Sequence, residues 1–289
     1  MVTIEATSPG QRPLQHSGLV RLEPGHMQRH FWRKAWRFRE LFLILAWRDL
    51  TVRYKQTILG LGWAVLKPLL TMAALTIVFS ALAKLPTSGH APYMILVFTG
   101  LLAWNVVAYL ISETSSSLLG NHNLISKVYF PRILIPAATL LVAVVDFFLN
   151  FFILLCLMAY FHYLPDWRIL FLPFFIVLVL LCGFGPGLWL AAINVKYRDL
   201  RYVVPFIMQL GLFVSPVGFS SNIVPERWQL LYSANPIVGI IDGFRWCLLH
   251  GEERLNLSAI GLSILVSSVV FGLGLRRFRA TERTFADLI

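Results

Sequence analysis

The sequence predicts an all-α integral membrane protein: six transmembrane helices, an N-terminal amphipathic interface helix, and re-entrant outer helices between spans five and six. Three observations carry this. Of 289 residues 57% are hydrophobic and only 13% charged, whereas a soluble globular domain carries about 45–50% apolar and about 25% charged residues. Apolar runs of roughly the 20 residues that cross a bilayer core of about 30 Å recur along the chain. The 25 Lys and Arg outnumber the 14 Asp and Glu, a net charge of +11, yet the basic groups sit beside apolar runs. Without a basic face or a recognised binding motif, nucleic acid is not among the expected partners. Disordered, collagenous and disulfide-scaffold classes are excluded by the same composition.

The expected spans are 63–83, 93–111, 133–160, 169–193, 203–219 and 258–275. Pro68, Pro136, Pro173, Pro186, Gly211 and Pro216 lie inside them and predict kinks that neighbouring helices must satisfy. The first thirty residues are polar and lack an apolar core, so no cleavable signal peptide is expected. With six spans, one side of the membrane holds 20 Lys and Arg and the other 5. The positive-inside rule then places both termini in the cytoplasm. The domain reading is a polar tail at 1–28, expected to be disordered, an interface helix and headgroup loop at 29–62, the six-span domain at 63–279, and a cytoplasmic tail at 280–289.

In residues 31–40, FWRKAWRFRE, helical winding gathers Phe31, Trp32, Ala35, Trp36 and Phe38 on one side and Arg33, Lys34, Arg37 and Glu40 on the other. Tryptophan opposite basic residues describes a helix lying in the headgroup plane, as an anchor alone or also as a partner contact. The following LFLILAW is too short to span. Past Trp47-Arg48-Asp49, the segment RYKQTILGLGW (53–63) offers Arg53, Tyr54, Lys55 and Gln56 as donors at headgroup depth. They read either as ordinary flanking charge or as ligands for the phosphate oxygens of a lipid-linked substrate.

Other chemistry is missing from the sequence. It contains no GxxxxGK[ST] phosphate loop, G-x-S-x-G or H-E-x-x-H. His26 and His30 are four apart but have no Cys or carboxylate beside them, so no metal site is expected. Cys156, Cys182 and Cys247 read as packing residues. Asp146 is the one acid in mid-span. Intramembrane acids are functional candidates, so it reads either as a proton carrier or as a packing hydrogen bond to Asn150 or a neighbouring helix. The 40 aromatic residues could supply rings to a sugar-lined path or to interfacial belts. Tyr93, Trp104 and Tyr109 are the candidate channel rings.

Three connections stand out. GNHNLISKVYFPR (120–132) follows the Ser-rich SETSSSLL, and NVKYRDLRY (194–202) joins spans four and five. The connection 220–257, containing VPERWQLLYSANPIVGIIDGFRWCLL, is too polar to span twice and too apolar for free loop. Asn235-Pro236 divides it into two short helical pieces that fit a half-embedded pair. Together, RYKQTILGLGW, NLISKVYFPR, NVKYRDLRY and this NP-containing loop resemble, over about residues 30–275, the permease subunits of ABC-type polysaccharide exporters, the family of O-antigen, capsule and teichoic-acid permeases.

The resemblance implies a homodimer paired with two copies of a separate P-loop ATPase, in the bacterial inner membrane. It implies no cofactor in this chain, with ATP and Mg held by the partner. Ser112–Lys127 would supply a coupling helix, and the resemblance points to Leu118, Asn121, Asn123, Leu124 and Lys127, with Tyr197, Arg198 and Asp199 of the second loop, as ATPase contacts. Phe31–Arg48 would be a second interface. Arg48, Arg53, Tyr54, Lys55, Gln56 and Trp63 would receive a lipid pyrophosphate, expected on a polyprenyl carrier. Pro225–Leu249, with Pro225, Trp228, Asn235, Pro236, Arg245 and Trp246, would form the outer gate. The expected function is the channel-forming subunit of an ATP-driven exporter of a lipid-linked polysaccharide. The chain itself is not expected to be an enzyme. The alternatives are a proton-coupled secondary transporter using Asp146, or an ABC permease for another lipid or a drug.

Overall fold

The structure, a computed structural model, describes residues 36–55, 61–85, 90–128, 130–197, 199–251 and 255–282. The polar tail, residues 31–35, Gln56, Arg198 and residues 283–289 lie outside the described residues. The helices are α1 (Arg39–Lys55), α2 (Leu61–Thr76), α3 (Tyr93–Gly120), α4 (His122–Lys127), α5 (Leu134–Tyr160), α6 (Leu172–Asn194), α7 (Leu200–Val214), α8 (Glu226–Ser233), α9 (Pro236–Leu248) and α10 (Leu257–Thr281). A wider π-type turn, Ile77–Leu82, extends α2, and a 3₁₀ turn, Trp167–Phe171, leads into α6. No strand occurs among the described residues.

The all-helical expectation holds, and five helices are long and apolar enough to cross a membrane: Gly62–Leu82, Tyr93–Gly120, Leu134–Tyr160, Trp167–Asn194 and Leu257–Thr281. The expected span 203–219 departs from this. Its helix α7 has 15 residues, about 22 Å at 1.5 Å per residue, short of a core of about 30 Å. It stops at Val214 because Ser215 precedes Pro216, whose ring disfavours the helical conformation for the residue before it. Ser215 is extended, at φ −86° and ψ 152°.

The N-terminal helix also differs from expectation. The apolar LFLILAW and the basic residues after it form one helix, α1, and Leu45 and Ala46 bury into a cluster with Leu134, Ala138 and Phe184. The segment is too short to span, but it is long enough to pack along the first half of α5.

Helix α3 is apolar on most of its circumference, and such a helix is stable only when surrounded. It forms the centre of the bundle, with Ile95, Phe98, Leu101, Leu102, Val107 and Leu110 buried. Small residues on α6 let helices approach closely, as membrane helices require. A Cβ on Gly187 would lie 2.7 Å from the Thr114 Cβ, and one on Gly274 of α10 would overlap the Gly185 carbonyl oxygen. The Thr114 and Thr139 hydroxyls, 2.8 Å apart, tie α3 to α5.

The connection after α7 folds as two short helices about Asn235-Pro236. The Asn235 side chain accepts from the Ile237 N–H at 3.3 Å, and Pro236, lacking an N–H, occupies the first turn. Helix α9 is buried among the long helices, and its Phe244 ring lies 6.0 Å from Phe147, halfway along α5. Arg245 is 0% exposed: its Nη1 donates to the Phe219 carbonyl at 2.9 Å and its Nη2 to the Val217 carbonyl at 3.1 Å. Tyr93 donates to the Gly218 carbonyl at 2.6 Å, and Ser221 to Asp242 Oδ2 at 2.8 Å.

Two contacts gather the basic connections at one end of the bundle. Asn194, closing α6, donates to the Ser115 carbonyl at 2.9 Å, and the Arg132 N–H donates to Glu282 Oε1 at 2.9 Å. At the opposite end, Arg168 donates to the His250 carbonyl, and the rings of Tyr163 and His250 stack at 4.4 Å.

Replacing Arg245 with Met bares the carbonyls of Val217 and Phe219 while keeping an apolar stem. A loss of roughly 3 kcal/mol of stability is expected, read as a fall in the melting temperature of the purified protein in detergent. An unchanged melting temperature would remove this clasp from the account of the fold.

Candidate functional site

Polar residues from four helices converge on a cavity of about 460 Å³ between the end of α1 and helices α2, α3 and α5. Each element delivers its groups through ordinary helical spacing. Asn105, Tyr109, Ser112 and Glu113 fall on one face of α3, at intervals of three and four residues. Asp146 and Asn150 are one turn apart on α5, and Trp63, Lys67 and Thr71 follow the same spacing on α2. Arg53 and Tyr54 arrive from the last turn of α1, because that helix lies along α5.

The centre of the site is an ion pair. Arg53 Nη2 lies 2.6 Å from Asp146 Oδ2, and the Tyr54 hydroxyl donates to Asp146 Oδ1, so each carboxylate oxygen has a donor. The guanidinium also lies 4.5 Å from the centre of the Tyr109 ring, a cation–π contact. Asn150 Nδ2 donates to the backbone carbonyl of Asp146 at 2.7 Å. Burial raises the Tyr54 phenol well above its usual range, and the bond to Asp146 raises it further. Tyr54 is therefore a neutral donor at physiological pH. Asp146 lies about 18 Å along α5 from Leu134, deep enough that an unpaired carboxylate would be costly. The cavity lining carries two cationic groups, Arg53 and Lys67, and two acidic ones, Glu113 and Asp146.

Of the expected headgroup residues, Arg53, Tyr54 and Trp63 line this cavity, as does Tyr109, expected as a channel ring. Arg48 instead pairs with its neighbour Asp49 at 2.7 Å, and Lys55 is exposed outside the lining. Gln56 lies outside the described residues. The sequence reading missed Lys67, Asn105, Ser112 and Glu113, although the polar face of α3 at helical spacing signals them. For Asp146 it anticipated a hydrogen bond to Asn150 or to a neighbouring helix. Asn150 bonds the backbone of Asp146, and the carboxylate goes to Arg53 and Tyr54, some ninety positions earlier in the chain.

The other expected residues separate by exposure. At the basic end, Asn123, Lys127, Tyr197 and Asp199 are exposed, and Asn121 and Leu124 are half-buried. Leu118 is 1% exposed and packs inside the bundle; Arg198 lies outside the described residues. In the outer connection, Pro225 and Trp228 are exposed, while Asn235 and Pro236 form the helix start. Arg245 clasps the backbone, and Trp246 lies under the Arg168 guanidinium at 5.4 Å. Tyr93 bonds the same broken stretch, and Trp104 is buried against Gly211, where a Cβ would lie 2.7 Å from the indole.

Comparison with known proteins bears on the family of the chain. Residues 40–249 match the family described as ABC-2 type transporter. The chain is 24% identical over 254 residues to the O-antigen export system permease protein RfbA of Klebsiella pneumoniae, covering 86% of this chain and 95% of that protein. It is 26% identical over 261 residues to the protein of the same name from Myxococcus xanthus, covering 89% and 98%. It is 21% identical over 239 residues to the polysialic acid transport protein KpsM of Escherichia coli, covering 80% and 90%.

The pairing of Tyr54 with Asp146 has a spectroscopic consequence. In an alkaline titration at 295 nm, the difference between the wild-type protein and Tyr54→Phe isolates this phenol, which should ionise later than a free tyrosine. Asp146→Asn should shift that component to lower pH, because it replaces a charged acceptor that favours the neutral phenol by a neutral amide. A component unmoved by Asp146→Asn would contradict the pairing.

Proposed function

The chain belongs to the ABC-2 type transporter family, and from that premise we propose that it is the channel-forming permease subunit of an ATP-driven exporter of a lipid-linked polysaccharide. The observation that carries this reading is the cavity holding Arg53, Tyr54 and Trp63 at the entrance to the bundle. A guanidinium beside aromatic rings suits a phosphate group joined to a sugar: the fork receives oxygens two at a time, and the rings offer apolar faces to a pyranose. The names of the relatives supply the substrate class, a polysaccharide.

In this reading the carrier is a polyprenyl pyrophosphate, received by Arg53, Tyr54, Lys55, Gln56 and Trp63 with Arg48 nearby. A sugar polymer is too polar to cross hydrocarbon unaided, so its path lies between two copies of the chain in a homodimer. Two copies of a separate P-loop ATPase, holding ATP and Mg, drive the cycle. They dock on the basic end, where Asn123, Lys127, Tyr197 and Asp199 are exposed beside Asn121, Leu124 and Arg198. Both termini are cytoplasmic in the bacterial inner membrane, and export runs toward the periplasm. Helix α7 together with Ser215–Pro225 completes the sixth passage. Helices α8 and α9 re-enter from the outer side as the gate, supported by the approach of Phe244 to the middle of α5. The proton-carrier reading of Asp146 is weakened by its engagement: the carboxylate is already held by Arg53 and Tyr54.

Purified chain in liposomes should hydrolyse no ATP, and hydrolysis should appear when the P-loop protein is added. A cysteine at Asn123 or Tyr197 should crosslink to that protein. Hydrolysis by the pure chain, or absence of both crosslinks in an active complex, would sink the proposal. Arg53→Gln should lower export by about tenfold or more, since a charge-assisted hydrogen bond contributes about 1.5–3 kcal/mol.

A further inference from the structure

The ion pair at the centre of the cavity is built unevenly. The Asp146 side chain is 15% exposed and held from two sides, by Arg53 on Oδ2 and Tyr54 on Oδ1. The Arg53 side chain is 41% exposed; its Nη2 is the nitrogen against the carboxylate, and Tyr54 also reaches the guanidinium. A guanidinium offers five N–H donors. Arg53 is thus a cation presented to the cavity and held by a carboxylate behind it. An anion entering the cavity meets two cationic side chains and two acidic ones, so it gains little unless one cation is released to it.

We propose that the Asp146 carboxylate is the resident stand-in for a ligand's phosphate. It occupies Arg53 while no such ligand is bound, and a phosphate or diphosphate ester takes the guanidinium from it by exchange. The exchange rests on the reading of Arg53 as the headgroup ligand. It costs less than breaking the pair outright, because Arg53 passes from one anion to another and Asp146 keeps the Tyr54 hydrogen bond. Asp146 is then a positioning residue. It holds Arg53 over the Tyr109 ring, ready for an anion, and sets affinity by competition without touching the ligand. The exchange also has a mechanical output: among the described residues, Arg53–Asp146 is the ion pair that joins α1 to the rest of the bundle, and the entering ligand opens it.

The test uses the full chain in phosphatidylcholine nanodiscs with inorganic pyrophosphate as probe. Asp146→Asn should bind pyrophosphate about tenfold more tightly than wild type, as follows when competition leaves about a tenth of Arg53 available. Arg53→Gln should abolish binding in both backgrounds. A second readout needs no variant: dicyclohexylcarbodiimide labelling of wild-type Asp146, quantified on its peptide, should accelerate severalfold when pyrophosphate is added. The same labelling in discs containing phosphatidylglycerol separates the sources. Acceleration by this lipid alone makes a bilayer phospholipid the occupant, acceleration only by pyrophosphate makes it a diphosphate, and both support the exchange. Arg53-dependent binding that Asp146→Asn fails to tighten, with labelling unchanged or slowed, would overturn the exchange and leave the headgroup reading standing. Pyrophosphate binding in no background, with labelling accelerated by neither pyrophosphate nor the lipid, would overturn both.

Discussion

A buried carbonyl without a donor is costly, and the arrangement around Arg245 answers that constraint. The chain leaves helical geometry after Val214 and regains a regular helix only at Glu226, apart from a single 3₁₀ turn at Ser221–Ile223. Each carbonyl buried there without a donor would be costly. A fully buried guanidinium without partners would cost still more. Brought together, each lowers the cost of the other: the carbonyls of Val217 and Phe219 receive Arg245, and that of Gly218 receives Tyr93. The clasp covers the stretch that follows α7, draws α9 among the long helices, and seats the broken stretch against α3, where a Cβ at Gly100 would lie 2.8 Å from the Val217 carbonyl oxygen.

Helix α3 thereby connects two polar centres inside an apolar body. Its first turns, from Tyr93 to Gly100, meet the clasp, and its later turns, from Asn105 to Glu113, line the cavity of Arg53 and Asp146. The centres differ in kind. Arg245 is sealed and bonded to backbone carbonyls, whereas Arg53, paired with Asp146 and set over the Tyr109 ring, is partly exposed at the cavity. The first arrangement suits support and the second suits exchange. That contrast is the physical basis for placing ligand chemistry at Arg53 and structural duty at Arg245, although both were candidates from their residue types alone.

Much of the fold is legible in composition and local pattern. Long apolar runs become helices because no other spanning structure satisfies its own backbone within one segment, and the four runs from 93 to 193 and 258 to 275 appear close to where periodicity and length place them. Hydropathy alone overran Pro216, because it registers apolar side chains and ignores the conformational restriction that a proline puts on the residue before it. The amphipathic stripe at 31–40 described how a helix could begin, but not that residues 39–55 would run along α5. Of the site, Arg53, Tyr54 and Asp146 were each conspicuous: two polar donors near a span, and one acid within a span. Their partnership was not. It joins residues 92 or 93 positions apart, and no helical repeat encodes such a contact.

The sequence by itself determined the solvent, the helical class, the asymmetry of basic charge, and the break at Asn235-Pro236. These follow from residue types and near neighbours. The tertiary structure alone decided which charges meet: Arg53 with Asp146, Arg245 with the carbonyls of Val217 and Phe219, and Asn194 with Ser115. Buried polar groups take whichever partner the packing of whole helices brings within about 3 Å, and that packing depends on small residues such as Gly185 and Gly274 as much as on the polar groups. The opening figures of the composition thus state how much charge must be accommodated, and only the packed bundle states where.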